Sequence, residues 1–218
     1  MKKFLLAAAA VATLGLASQA QAATPLTFHL TDDHCTGTCG LAAGASYGTL
    51  TVSGSGTTQI DFSLDLTSGI FFNSNGAGLD TFSWDLLNNP KIDLSGLSAG
   101  FTAVDPQTAG SNHEDGFGSF DYVVNATSNT LTHLQFSVVG SGANAGAVLT
   151  LDHNTADSQS IFAAVDVIGS NGNTGVVGAT TFTGGVPEPA TWGMMLVGFG
   201  GLGAMMRRRR AMATVATA

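Results

Sequence analysis

From Gln59 to Leu66 the chain alternates, with Ile60, Phe62, Leu64 and Leu66 on one side and Gln59, Asp61, Ser63 and Asp65 on the other. That is the two-residue period of a strand with one face buried. Thr81 to Leu86 repeats the pattern with Phe82, Trp84 and Leu86 inward, and Leu131 to Val138 repeats it with Leu134, Phe136 and Val138 inward. Shorter runs predict further strands at Leu26–Thr31, Gly48–Ser53, Lys91–Leu94, Phe101–Val104, Phe120–Val124, Ala147–Leu151, Ile161–Ile168 and Val176–Phe182. Clusters of Gly, Ser, Thr, Asn and Asp separate them and supply the turns. The one candidate for a helical turn lies at Thr155–Ser160. Short strands without crossover helices predict an all-β, antiparallel β-sandwich of jelly-roll type for residues 23–185. No repeat of fixed period is visible.

The two ends follow different rules. Lys2 and Lys3, the apolar run Phe4–Leu16 and the small residues Ala20 and Ala22 read as a signal peptide over residues 1–22, cleaved so that the mature chain begins at Ala23. Signal peptidase and the export machinery are the partners this implies. At the other end Pro187, Glu188 and Pro189 precede Trp192, the apolar run to Met206 and then Arg207, Arg208, Arg209 and Arg210. As a helix, Trp192–Met206 would span about 22 Å against a hydrocarbon core of about 30 Å, which is short for a permanent anchor. The prolines keep the linker before it extended. The arginines set the orientation with the body outside the inner membrane, and Trp192 marks the opposite interface. A core helix of a soluble domain is the plainer alternative, and four consecutive arginines argue against it. Residues 186–210 are thus expected to form a transient transmembrane segment, and residues 211–218 a short cytoplasmic tail.

Charge looks different once the ends are set aside. Residues 23–186 carry Lys91 alone against thirteen Asp and Glu114, a net charge of −13. Such a body has no basic footprint for phosphates, so no nucleic-acid partner is expected. The Asp residues serve solubility and turns, or else bind divalent cations.

The tail residues Pro187, Glu188, Pro189, Trp192, Met194, Met195, Gly198, Phe199, Gly200, Gly203 and Arg207 to Arg210 resemble, in order and spacing, the PEP-CTERM sorting signal of Gram-negative bacteria. The resemblance covers residues 186–210. It implies recognition by an exosortase, transient inner-membrane anchoring, and delivery to the cell surface or outside in company with exopolysaccharide and biofilm. Gly193 stands where the variant usually has Ala, and Ala211–Ala218 extend past the arginines. Phe28–Gly40, Asp115–Asp121 and Asn173–Gly175 also resemble a recurrent ectodomain of PEP-CTERM proteins, to which no activity is attached.

The two cysteines, Cys35 and Cys39, are expected to form a disulfide in an exported chain, closed by the freedom of Gly37 and Gly40. A soft-metal site with His34 and Asp32 or Asp33 is the competing reading, but a second ligand pair at zinc spacing is missing. Catalytic patterns are weak. Gly44–Gly48 and Gly96–Gly100 match nucleophile-elbow spacing, yet strands rather than helices are expected to follow both. His113-Glu114-Asp115 could serve acid–base or cation chemistry, with a solvated loop as the plain reading; His29 and His133 fall on polar strand faces and read as surface residues. A glycosidase needs two carboxylates about 5–10 Å apart, and only a cross-strand pair could supply them here. Asn75–Phe82 resembles one copy of a calcium-binding nonapeptide, and one copy cannot build a stacked roll. The expected function is non-enzymatic: an exported structural or interaction protein of the surface or exopolysaccharide matrix. The alternative is a carbohydrate-binding module using Ca²⁺ and an exposed Trp84 or Tyr122. No other cofactor is expected.

Overall fold

The computed structural model describes residues 24–75, 80–104, 112–153, 160–183 and 199. The signal segment with Ala20, Ala22 and Ala23, the expected turn at Thr155–Gln159, and the sorting segment apart from Phe199 lie outside the described residues.

Among the described residues the body is all β, with only two short 3₁₀ turns, Thr36–Gly40 and Gly142–Asn144. The strands are β1 (Leu26–Asp33), β2 (Gly48–Ser53), β3 (Gln59–Leu66), β4 (Ile70–Phe72), β5 (Phe82–Leu86), β6 (Ile92–Ser95) and β7 (Phe101–Ala103). They continue with β8 (Asn112–Glu114), β9 (Gly118–Phe120), β10 (Tyr122–Ala126), β11 (His133–Gly140), β12 (Leu151–Asp152), β13 (Ala163–Gly169) and β14 (Thr174–Thr183). One hydrogen-bonded path runs β6-β11-β3-β2-β1-β14-β13-β5-β10-β7; β4 joins it at β13, β12 joins at β5, and β8–β9 is a separate hairpin. Every pairing is antiparallel.

The alternation read from the sequence decides which face turns inward. Phe62 of β3 lies opposite Val52 of β2 and Phe136 of β11, so the inward residues of three strands form one apolar row. Along the path β3 and β5 are five strands apart, which in a flat sheet would be about 24 Å. Yet the rings of Phe62 and Trp84 are 5.5 Å apart. The sheet therefore curls until its two halves face each other, and Phe62, Phe82, Trp84, Tyr122 and Phe136 fill the space between, in stacked, tilted and edge-on pairs. Offset and edge arrangements of this kind suit the ring quadrupoles.

Trp84 and Tyr122 are accordingly buried, not exposed. The exposed aromatic that the alternative reading asked of one of them is therefore not found there, because both side chains lie on the core face. The Tyr122 hydroxyl donates inward to the Pro90 carbonyl at 2.6 Å. His29 and His133 are exposed as expected, and His133 Nδ1 lies 2.7 Å from Asp65 Oδ1 across the β3–β11 pair. The run Ala147–Leu151 is not a strand throughout. The turn at Gly142–Gly146 precedes it, Leu149 makes a lone bridge to Thr57, and only Leu151–Asp152 pairs with β5. The three-residue strands β4 and β8 have no counterpart in the sequence reading, and of β9 only Phe120 falls in a run read from it.

Strand β13 is covered on both sides. Ala163, Val165 and Val167 face the main core, while Ala164 on the opposite face packs with Phe117, Phe120, Ile161 and Val176 in a second, smaller apolar cluster. Phe117 and Phe120 come from the β8–β9 hairpin, so the hairpin lies over the outer face of β13 and β14. Gly178 makes this approach possible, because a Cβ there would stand 2.9 Å from the Phe117 ring. Among the described residues no helix is long and apolar enough to cross a membrane.

Candidate functional site

A cavity of about 640 Å³ opens beside the hairpin. Its floor is the outer face of β13 and the start of β14, where Asp166, Ile168 and Thr174 stand. Asp166 interrupts an otherwise apolar run, Ala163–Ile168. One wall carries Asn73 and Asn75, which follow β4, and Asp80, which precedes β5. It is tied to Asp166: the Asn73 N–H donates to the Asp166 carbonyl at 3.0 Å, and the Asp166 N–H donates to the Thr81 carbonyl at 2.9 Å. The Asn73 side-chain amide then donates to Asp166 Oδ2 at 3.0 Å, and the Thr81 hydroxyl to the Asn73 carbonyl at 3.1 Å.

A second wall is the end of β1 and the turn after it. Cys35 and Cys39 are joined in a disulfide, with Cα atoms 5.5 Å apart. Between them Gly37, Thr38 and Cys39 take φ values of 64°, 57° and 42°, three left-handed residues in a row. For Thr38 and Cys39 that conformation costs roughly 1–2 kcal/mol each. The turn is held by its bridge and by the buried Tyr47, whose hydroxyl lies 2.6 Å from Asp33 Oδ2 and 2.7 Å from the Thr38 carbonyl. Gly175 lets the Cys35 backbone pass directly over β14, where any Cβ would collide with it. This fixes His34 and Thr36 at the cavity rim. The His34 ring also meets Phe117 edge-on, with centroids 4.5 Å apart.

The third wall is the hairpin itself, with His113, Glu114 and Asp115. The solvated loop that the sequence suggested here is instead a strand, and Glu114 is 2 % exposed. Ser83 of β5, on the outer face opposite the core residues Phe82 and Trp84, donates its hydroxyl to Glu114 Oε1 at 2.6 Å. The three stretches that resembled a shared ectodomain, Phe28–Gly40, Asp115–Asp121 and Asn173–Gly175, therefore meet at one place.

Electrostatics in the cavity are one-sided. Burial pushes the Glu114 carboxyl up to about 8 against the relief from Ser83, and Asp80 and Asp166 push it the same way. Burial raises Asp166 to about 6, opposed by the Asn73 amide. Asp80 is raised by burial and relieved in part by a hydrogen bond from the His113 backbone. No lysine or arginine lines the cavity. Lys91, the body's one basic residue, precedes β6 at the far end of the sheet, where its carbonyl accepts from the Ser141 N–H. Among the described residues, no group of three or more His, Cys, Asp or Glu is placed to hold a metal ion.

Sequence reasoning singled out Glu114 only within a loop triplet and missed Asp166 and Asn73. The signal for Asp166 was its place in an apolar strand, because an acid there has to find a partner. A second acidic group joins β5, β12 and the connection between β9 and β10, with Asp152 opposite Asp85 and the Asp121 N–H donating to Asp85 Oδ1 at 2.8 Å. Burial is the main reason that Asp85 rises to about 6. This is the cross-strand arrangement of carboxylates that the linear sequence hides. The Ser46 hydroxyl donates to the Gly48 carbonyl and the Ser98 hydroxyl to the Gln135 carbonyl, so neither elbow-like serine faces a base.

Position along β14 separates the cavity from the strand end at Thr183. The cavity lies at the first residues of β14, and Thr183 at its other end pairs with Thr27 of β1. Nine residue steps at about 3.4 Å put the two ends about 30 Å apart. The chain beyond Thr183 leads within four residues to Pro187.

The tail defines a class before it defines anything finer: this is a sorted, exported protein. Residues 185–210 match the PEP-CTERM protein-sorting motif, which addresses a chain to an exosortase for delivery to the surface or beyond. No curated protein and no solved structure matches this chain.

Proposed function

We propose that this protein is a non-enzymatic structural or interaction component of the cell surface or exopolysaccharide matrix, with a sandwich-like body that the sorting signal anchors briefly and then releases. One observation carries the reading: the cavity lies at the start of β14 and the chain runs on toward the sorting signal from Thr183 at its other end, so a body tethered through its C-terminus would turn its cavity away from the membrane. The test is to follow the exported protein in cells that make exopolysaccharide and in cells that do not. Co-fractionation with the polysaccharide, lost when the cavity is filled by Thr174→Trp, supports the proposal. Equal release into the medium in both cases counts against it.

The binding-module alternative keeps one specific support, the cavity itself. Its volume lies in the range of small-molecule sites, about 300–1,000 Å³. Its recognition would run through hydrogen bonds and charge, because the aromatics once assigned to it are in the core.

A further inference from the structure

The cavity's chemistry narrows what it accepts. Glu114 and Asp166 are respectively 2 % and 9 % exposed, and both line the open space. Each has one oxygen engaged by a neutral donor, Ser83 for Glu114 and Asn73 for Asp166. Buried carboxylates normally meet a basic partner or stay protonated. Here the lining supplies no lysine or arginine, and Asp80 and Asp115 add further negative charge. An anionic ligand, whether phosphate, sulfate or uronate, would meet only repulsion. Among the described lining residues the apolar side chains are Ile168 and Val176, so a neutral sugar would find no Trp, Tyr or Phe face there. A bare metal ion would find no group of three ligands in place among the described residues. The missing partner is thus a cation that brings its own hydrogen-bond donors and occupies volume.

We infer that the cavity binds a small organic ligand through a primary ammonium group, which Glu114 and Asp166 receive while Thr36, Asn75 and Thr174 face the remainder of the molecule. An ammonium offers three donors in a compact head, suited to a pair of carboxyl acceptors. The inference rests on the binding-module reading. It also implies proton release: Glu114, pushed up to about 8, is mostly neutral at pH 7 and ionises when the ammonium arrives. His34, His113, Asp80, Asp115 and Asp166 face the same space.

Isothermal titration on the processed, exported protein tests this with four probes: glucosamine, putrescine, N-acetylglucosamine and calcium chloride. Binding by the two amines, at least tenfold weaker for N-acetylglucosamine, is the expected result. Glu114→Gln and Asp166→Asn, which keep the shape and the Ser83 and Asn73 contacts, should each weaken the amines at least tenfold. Titrations in two buffers of different ionisation heat should show release of up to one proton per amine at pH 7. N-acetylglucosamine binding as tightly as glucosamine would overturn the ammonium inference and leave the binding module standing. Calcium binding in place of the amines, abolished by Glu114→Gln, would overturn it in favour of a metal site. Binding by none of the four probes would remove both the inference and the module reading.

Discussion

Replacing Glu114 by Gln isolates the cost of one buried carboxyl. The substitution keeps the acceptor for the Ser83 hydroxyl, so the 2.6 Å hydrogen bond survives while the ionisation is removed. In the folded protein the acid is raised from 4.5 to about 8. A raised acid favours folding in full below its unfolded value, and that contribution is lost as pH rises through the folded value. Between pH 5 and pH 8 the wild type should therefore lose stability by a little over 1 kcal/mol per pH unit, to a ceiling of about 5 kcal/mol. For a body of this size that corresponds to a fall in Tm of roughly 10–15 °C. The variant should match the wild type at pH 5 and exceed it at pH 8. Thermal melts by circular dichroism in amine-free buffers from pH 5 to pH 9 read the difference directly. Parallel curves for the two proteins, or a Gln variant less stable at pH 8, would refute the placement of an ionisable, uncompensated carboxyl beneath the hairpin.

Other expectations are simpler to check. Mass spectrometry of non-reduced exported protein should find Cys35 and Cys39 in one intramolecular bridge, and the double Ser variant should lose about 2 kcal/mol in urea melts, with His34 and Thr36 exchanging faster. Gly169→Ala drives a Cβ into the Cys39 carbonyl, a backbone atom that cannot step aside, and should cost at least 2–3 kcal/mol by the same melts. Replacing Pro187, Glu188 and Pro189 together by Ala should leave export intact and trap the full-length chain in the inner membrane, as read by fractionation and C-terminal mass analysis. Released protein that still carried Trp192 would count against the sorting assignment.

Much of the architecture was legible because the alternation of apolar residues is strong where one face of a strand is buried. Gln59–Leu66 and Phe82–Leu86 fall within the runs read from the sequence, and β11 begins two residues later than its run and ends two later. Strands of three residues carry no period, and β8 and β9 became visible only through what they cover. Period placed Trp84 inward with Phe82 and Leu86, as the structure has it, whereas Tyr122 stands in a run, Phe120–Val124, that does not alternate and so gave no sign of its burial. The cavity was hidden too. Asp166, Glu114 and Asn73 are brought together by pairings between β4, β5 and β13 and by a hairpin lying on top, and none of those contacts is local in sequence. The disulfide, four residues apart, was within reach of local reasoning.

The entry of β1 beside the exit of β14 bears on mechanics. A pull applied at the tail and resisted at the cavity runs along β14, parallel to the strand, with β1 on one side and β13 on the other. Under such a load the cross-strand hydrogen bonds of both ladders are stretched together in shear, and none is opened one at a time as in unzipping. A protein held by one end in flow, with its partner at the other, would in this way place the tension on a strand paired along both edges.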